Sequence, residues 1–256
     1  YSTVTMNVVE EPVCTIELGE NSKFEKKLIS KDLNNKEVTI QLQVKNDEVV
    51  NKPTGEIMLV LDNSDSMNNT VDGTKTRKEL IFDSAKTLVS NLLKDNEELK
   101  IGIVSFSTNT DISKEGSSED ANLVSSLSND ISKLNNAISN IKADGPRTNL
   151  ESGLDLASGQ FTKTDNNKYM IVLTDGVPNV ALNYDKNYYS DDVISKTKSK
   201  LQQLKQSNIN VITMLTGIDD EKYIPATTTK SFGEIIEEIF LSLIHISEPT
   251  RHSLIS

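Results

Sequence analysis

Four short apolar runs, separated by helix-like segments, restrict this chain to few folds. The first is Ile57-Met58-Leu59-Val60-Leu61, and the others lie at residues 101–106, 169–173 and 211–215. Continuous apolar runs of this length suit parallel strands buried on both faces of a sheet. Between the first two, residues 76–93 read as a helix that gathers Leu80, Ile81, Ala85, Leu88, Val89 and Leu92 on one side. Residues 131–141, 149–157 and 191–206 read as further helices, and residues 122–127 as a short edge strand. A last helix-like pattern starts at residues 231–240. Strands alternating with helices predict an α/β fold: a doubly wound, mostly parallel sheet flanked by helices. Ligands on such sheets sit at the carboxyl ends of the strands, near the point where the strand order reverses.

Residues 1–52 differ from this pattern and look β-rich. Val38-Thr39-Ile40-Gln41-Leu42-Gln43-Val44 alternates apolar and polar residues, as a half-exposed antiparallel strand does. Residues 13–18 and 24–29 are weaker strand candidates, and Asn34-Asn35 marks a turn. Pro53-Thr54-Gly55 punctuates the chain. The expected organisation is a β-rich flanking segment over 1–52, resembling an incomplete sandwich, and an α/β domain over 53–240.

Residues 241–251 resemble something other than protein: the translation of a transposon-based sequencing adapter, Leu-Ser-Leu-Ile-His-Ile-Ser-Glu-Pro-Thr-Arg. The adapter continues through a variable index into bases that encode Ile-Ser, and the chain ends Ile255-Ser256. Residues 241–256 are therefore read as a sequencing artefact, the α/β domain is expected to be C-terminally truncated, and the tail is set aside. The two histidines of the chain, His245 and His252, both lie in that tail. Residues 1–240 contain no imidazole, so Ser-His-Asp catalysis, Cys-His catalysis and zinc–histidine ligation have no residues to work with.

Charge and cysteine content narrow the function further. The 256 residues carry a net charge of -11. That disfavours a nucleic-acid groove and adhesion to anionic lipid, both of which require basic surface. No apolar stretch is long enough to span a bilayer, so direct membrane insertion is not expected. Cys14 is the single cysteine, which rules out an internal disulfide framework and a multi-thiolate metal site.

The first apolar run leads directly into Asp62-Asn63-Ser64-Asp65-Ser66. One carboxylate and two hydroxyls at alternate positions project to the same side of an extended segment. Converging oxygens of this kind suit a hard divalent cation; alone, the same residues also suit a helix-capping loop. Asp175 follows the third run in Leu173-Thr174-Asp175-Gly176 and by itself reads as a turn residue. Thr148, in Gly145-Pro146-Arg147-Thr148-Asn149, by itself reads as a helix N-cap. All three fall on the expected ligand face.

Together these residues resemble the von Willebrand factor type A (vWA) domain and its metal-ion-dependent adhesion site. The family pattern is Asp-x-Ser-x-Ser after the first strand, a later loop Thr, and an Asp ending a further strand. Asp62, Ser64, Ser66, Thr148 and Asp175 match it, and the resemblance spans roughly residues 55–240. It implies a Rossmann-like sheet. Ser64, Ser66 and Thr148 would ligate the metal directly, with Asp62 and Asp175 acting through water or hydrogen bonds. Pro146-Arg147 departs from the small glycines common before the Thr. An all-oxygen shell suits Mg²⁺, with Mn²⁺ or Ca²⁺ as alternatives. Three neutral hydroxyls leave the cation incompletely neutralised and ready for an acidic side chain of a protein partner.

The β-rich segment ahead of the domain resembles those of Gram-positive surface and pilus-tip adhesins. The resemblance thus implies a non-enzymatic adhesion module on the extracellular cell-wall surface. The alternative is an intracellular vWA subunit partnering an AAA-type ATPase. A metal-dependent phosphohydrolase would lack both a histidine and a phosphate loop. The long loop after Asp175 should border the metal. Arg147 and, on that loop, Asn179, Asn183, Tyr184, Tyr188 and Tyr189 are candidate partner contacts; the tyrosines serve equally well as anchors for the loop on its own domain.

Overall fold

A computed structural model describes residues 14–19, 22–32, 37–46, 54–71, 73–94, 96–162 and 166–215. The turn expected at Asn34-Asn35, the helix-like pattern at 231–240 and the tail at 241–256 lie outside them. The chain divides into two compact units between Lys52 and Pro53.

In the first unit, β1 (Cys14–Gly19), β2 (Ser22–Asp32) and β3 (Glu37–Asn46) form an antiparallel sheet in that order. Bulges interrupt the register between Glu17 and Gly19 and between Leu28 and Ser30. Both weaker strand candidates correspond to strands; β1 has the expected length shifted by one residue, and β2 runs past its apolar patch because ladder pairing with β3 extends beyond the residues that advertise it.

The second unit contains a five-stranded sheet of order β6-β5-β4-β7-β8. Its strands are β4 (Gly55–Asp62), β5 (Leu99–Phe106), β6 (Ala121–Ser128), β7 (Lys168–Thr174) and β8 (Ile209–Leu215). β4 pairs in parallel with β5 on one side and β7 on the other, β8 adds in parallel to β7, and β6 closes the opposite edge antiparallel. The chain therefore builds outward from β4 first in one direction and then in the other. That reversal puts the switch point at the carboxyl end of β4.

The apolar runs are buried because helices cover both faces. Met58, Val60, Val104, Phe106, Met170 and Val172 pack against α3 (Leu150–Ser158) and α4 (Asp191–Gln206). The alternate residues of these strands, such as Leu59, Leu61, Ile101 and Ile103, are also fully buried. They face the side covered by α1 (Arg77–Leu93) and α2 (Ile131–Ser139). α3 comes so close to β5 that a Cβ on Gly153 would lie 2.8 Å from the Phe106 side chain.

Helix boundaries follow their caps. Thr76 and Glu79 form a capping box that starts α1. Asp130 caps α2, which ends at Ser139, two residues before the apolar pattern suggested, with Asn140 as its C-cap. Asn149 is the N-cap of α3 and not its first helical residue: its side chain accepts from Ser152 N. Among the described residues no helix is long and apolar enough to cross a membrane.

Candidate metal centre

The end of β4 delivers Asp62 fully buried at the switch point. Its Oδ1 accepts from Ser64 N at 2.8 Å, which curls the chain sharply after the strand. Its Oδ2 accepts from the Thr174 hydroxyl at the end of β7. Ser64 then leads a 3₁₀ turn at Asp65–Asn68 but makes no side-chain cap bond. Its hydroxyl instead lies 3.0 Å from that of Ser66. Ser66 in turn donates to Asp175 Oδ1 at 3.0 Å. Asp175 Oδ2 accepts from Arg77 Nη1 at 2.9 Å, across a pair with side chains only 6% and 1% exposed. Neither the capping-loop reading of the serines nor the isolated-turn reading of Asp175 describes this arrangement.

Thr148 arrives on the loop between α2 and α3, which is stitched to the β4 loop. Asp65 N donates to Gly145 O at 2.7 Å and Gly145 N to Asn63 O at 3.3 Å. Asn63 Nδ2 reaches Lys142 O at 3.1 Å, and Asn68 Nδ2 reaches Ala143 O at 2.7 Å. The loop keeps this course with Pro146-Arg147 in place of small residues. Because Asn149 takes the N-cap role, the Thr148 hydroxyl has no hydrogen-bond partner among the described residues. It lines a cleft of about 290 Å³ together with Ser64, Ser66 and Asp175. All five motif residues are thereby brought to one place, Asp62 beneath the cleft and the other four around it.

The electrostatics of this cluster are unfavourable by themselves. Burial and, next, the neighbouring Asp175 charge push the Asp62 carboxyl up to about 7, against hydrogen bonds from Thr174 and Ser64 that act the other way. Asp175 is also raised by burial, against the hydrogen bond and charge of Arg77 and the hydrogen bond from Ser66. Two buried carboxylates joined through hydroxyls, with an unengaged hydroxyl opposite, are a donor set that fits a hard cation. Among the described residues no group of three or more His, Cys, Asp or Glu side chains converges on a metal site, so this set depends on hydroxyls.

The residues considered as partner contacts divide into two groups. Asn179 is buried and positions Thr148: its Oδ1 accepts from Thr148 N at 2.9 Å, and its Nδ2 donates to the Tyr189 hydroxyl at 2.9 Å. Tyr184 is buried, and its hydroxyl donates to the buried Glu115. Both are anchors of the loop on its own domain. Arg147 donates to the same Glu115, stacks over Tyr188 at 4.2 Å and lines the cleft. Tyr189 also lines the cleft, Tyr188 is half-buried, and Asn183 is exposed. Sequence reasoning missed Arg77, Thr174 and Glu115. Thr174 adjoins Asp175 at a strand end and was within reach; Arg77 and Glu115 carry no local signal that they are buried.

Comparison with known proteins agrees with the geometry. The family model of the von Willebrand factor type A domain matches residues 57–177. The pilus adhesin SpaC of Lactobacillus rhamnosus GG is similar in fold, with 21% identity and a TM-score of 0.57 over 90% of this chain. This chain spans only 32% of that adhesin. A mutant of the PilB minor pilin of Streptococcus sanguinis is similar at 17% identity and a TM-score of 0.53, covering 87% of this chain and 66% of that one. No protein of curated function matches the chain in sequence.

Proposed function

We propose that the chain, whose residues 57–177 match the family model of the von Willebrand factor type A domain, is a metal-dependent protein-binding module of a bacterial cell-surface or pilus protein. Ser64, Ser66 and Thr148 would hold Mg²⁺, or Mn²⁺ or Ca²⁺, with Asp62 and Asp175 completing the oxygen shell. The bound cation supplies a Lewis-acidic position for an anionic oxygen, and an acidic side chain of the partner fills it. One observation carries this reading. Ser64, Ser66 and Asp175 are linked hydroxyl to hydroxyl to carboxylate, over a buried Asp62, at the rim of an open cleft.

The reading is of binding and not of catalysis. Asp62 has both oxygens committed to Ser64 and Thr174, so it is not placed as a nucleophile. Residues 1–240 offer no histidine as a base. The likeness to a pilus adhesin and a minor pilin supports a location outside the cell, on its surface.

Calorimetric titration with Mg²⁺ alone tests the centre. Asp62→Ala and Thr148→Ala should abolish the binding heat while circular dichroism retains the α/β signature. A capped pentapeptide with a single glutamate tests the adhesion step. In the presence of Mn²⁺ its glutamate methylene signals should broaden with wild type and not with Asp62→Ala, with EDTA present, or with the glutamine peptide. Peptide binding that survives EDTA would remove the metal-bridged mechanism.

A further inference from the structure

Glu115 is a costly residue for its position: its side chain is 1% exposed, and a carboxylate is buried at this depth only when it is paired. Both of its oxygens are engaged, Oε1 by the Tyr184 hydroxyl and Oε2 by Arg147 Nη1. Arg147 is held from a second direction as well, with its guanidinium carbon 4.2 Å from the centroid of the Tyr188 ring. One edge and one face of the guanidinium are therefore fixed, and a side chain held in this way loses little further freedom when it binds a ligand. The Arg147 side chain nevertheless remains 29% exposed and lines the same cleft as its neighbour Thr148. Among the described residues its guanidinium donates to Glu115 alone, which leaves further N–H groups of the planar fork for a ligand. Arg77 also lines the cleft, but it is buried against Asp175 with its side chain only 6% exposed.

We propose that Arg147 is the specificity residue that reads the partner's acidic side chain as a carboxylate: one carboxylate oxygen takes the position on the metal, and the other accepts from the Arg147 guanidinium. The cleft, at about 290 Å³, lies at the lower end of ligand pockets, so it seats one side chain and not a folded element. Both oxygens of a single carboxylate then fall between the hydroxyl cluster and Arg147, which line the two sides of the same space. An ionised carboxylate accepts at both oxygens, and a guanidinium only donates, so the two match. A glutamine side chain has the same shape. With its carbonyl oxygen on the metal, however, its NH₂ would meet the N–H groups of Arg147, donor against donor. The cation supplies attraction for an oxygen, and Arg147 supplies the choice of acid over amide. This inference rests on the proposed metal-dependent adhesion reading.

The test is calorimetry with Mg²⁺ alone and then with the single-glutamate peptide at saturating Mg²⁺, joined to nitrogen-15 NMR of the arginine Nε–H groups. Arg147→Met should bind Mg²⁺ within about threefold of wild type and the peptide about tenfold or more weakly, the size expected for one lost charge-assisted hydrogen bond. The chain has three arginines, so the Arg147 Nε–H signal is identified by its absence from the Arg147→Lys spectrum. In Mg²⁺-loaded wild type this signal should move downfield when the glutamate peptide is added and stay in place with the glutamine peptide. Wild-type peptide affinity in Arg147→Met, or a signal that does not move when the glutamate peptide binds, overturns the inference and leaves the metal bridge standing. Loss of Mg²⁺ binding in Arg147→Met would make Arg147 a brace for Thr148 and would overturn it too. Should Arg147→Met not fold, the wild-type signal decides the matter alone. Wild type that binds no Mg²⁺, or binds Mg²⁺ and not the glutamate peptide, overturns the adhesion reading itself, a result distinct from failure of the Arg147 argument.

Discussion

Gly145→Ala should separate the two halves of the metal centre without touching any proposed ligand. Gly145 is buried between the β4 loop and the segment after β5. A Cβ there would lie 2.0 Å from Ser107 Oγ, 2.2 Å from Ser107 Cβ and 3.1 Å from Thr108 O. Rotating the Ser107 side chain relieves the first contact and not the second, because Cβ is fixed to the backbone. The backbone must therefore shift by more than an ångström, and two hydrogen bonds go with it: Asp65 N to Gly145 O at 2.7 Å and Gly145 N to Asn63 O at 3.3 Å. Overpacking of this kind costs about 1–3 kcal/mol and each lost hydrogen bond about 1 kcal/mol. The expected destabilisation is about 3–5 kcal/mol, seen as a drop in melting temperature of roughly 6–20 °C for a domain of this size. Mg²⁺ affinity should fall about 10- to 100-fold, as for loss of groups that orient metal ligands. Gly176→Ala is the matched control in the same cleft: nothing lies within 4 Å of its Cβ. It should stay within about 0.5 kcal/mol of wild type. Urea unfolding and Mg²⁺ calorimetry on both variants give the answer. Wild-type stability and Mg²⁺ affinity in Gly145→Ala would refute the claim that this loop pins Thr148 against the serine loop.

The buried carboxylates predict how the metal-free protein responds to pH. Asp62 titrates at about 7 in the fold against 3.8 in its ordinary state, so between those values the folded state holds a proton the unfolded chain has released. EDTA-treated protein should thus lose stability as pH rises from about 4 to about 7, with Asp62→Asn flattening the slope in urea titrations; greater stability at the upper end would contradict it. Asn179→Ala removes the acceptor of Thr148 N. It should cost about 1 kcal/mol and weaken Mg²⁺ about tenfold by calorimetry, whereas an exposed contact residue would change neither. Tyr184→Phe takes one donor from Glu115 while leaving Arg147 in place. A loss of about 1–2 kcal/mol is expected, with faster hydrogen exchange over residues 181–190, and unchanged exchange there would show that the tyrosine does not anchor the loop.

The sheet and its ligand end were legible along the chain because burial inside a sheet demands unbroken apolar strands, and β4, β5, β7 and β8 carry such runs. The strand-to-loop position of Asp62 and Asp175, and the alternation of Ser64 and Ser66, are equally local, but by themselves they also suit a capping loop and a turn; it is the resemblance to the family pattern that singled out these residues together with Thr148. What spacing did not reveal is how those groups are satisfied. Thr148 is free to serve the cleft because Asn149, its neighbour, caps α3. Asn179 and Tyr184, which look like contact residues on an exposed loop, face inward because Thr148 N and Glu115 need partners there. Arg77 reads as an ordinary charged helix residue until β7 places Asp175 beside it, 98 positions away in sequence. Local chemistry thus determined which side chains could hold a cation, whereas the geometry of the centre arises from residues distant in sequence, whose burial depends on how the loops at the carboxyl ends of the strands pack against one another.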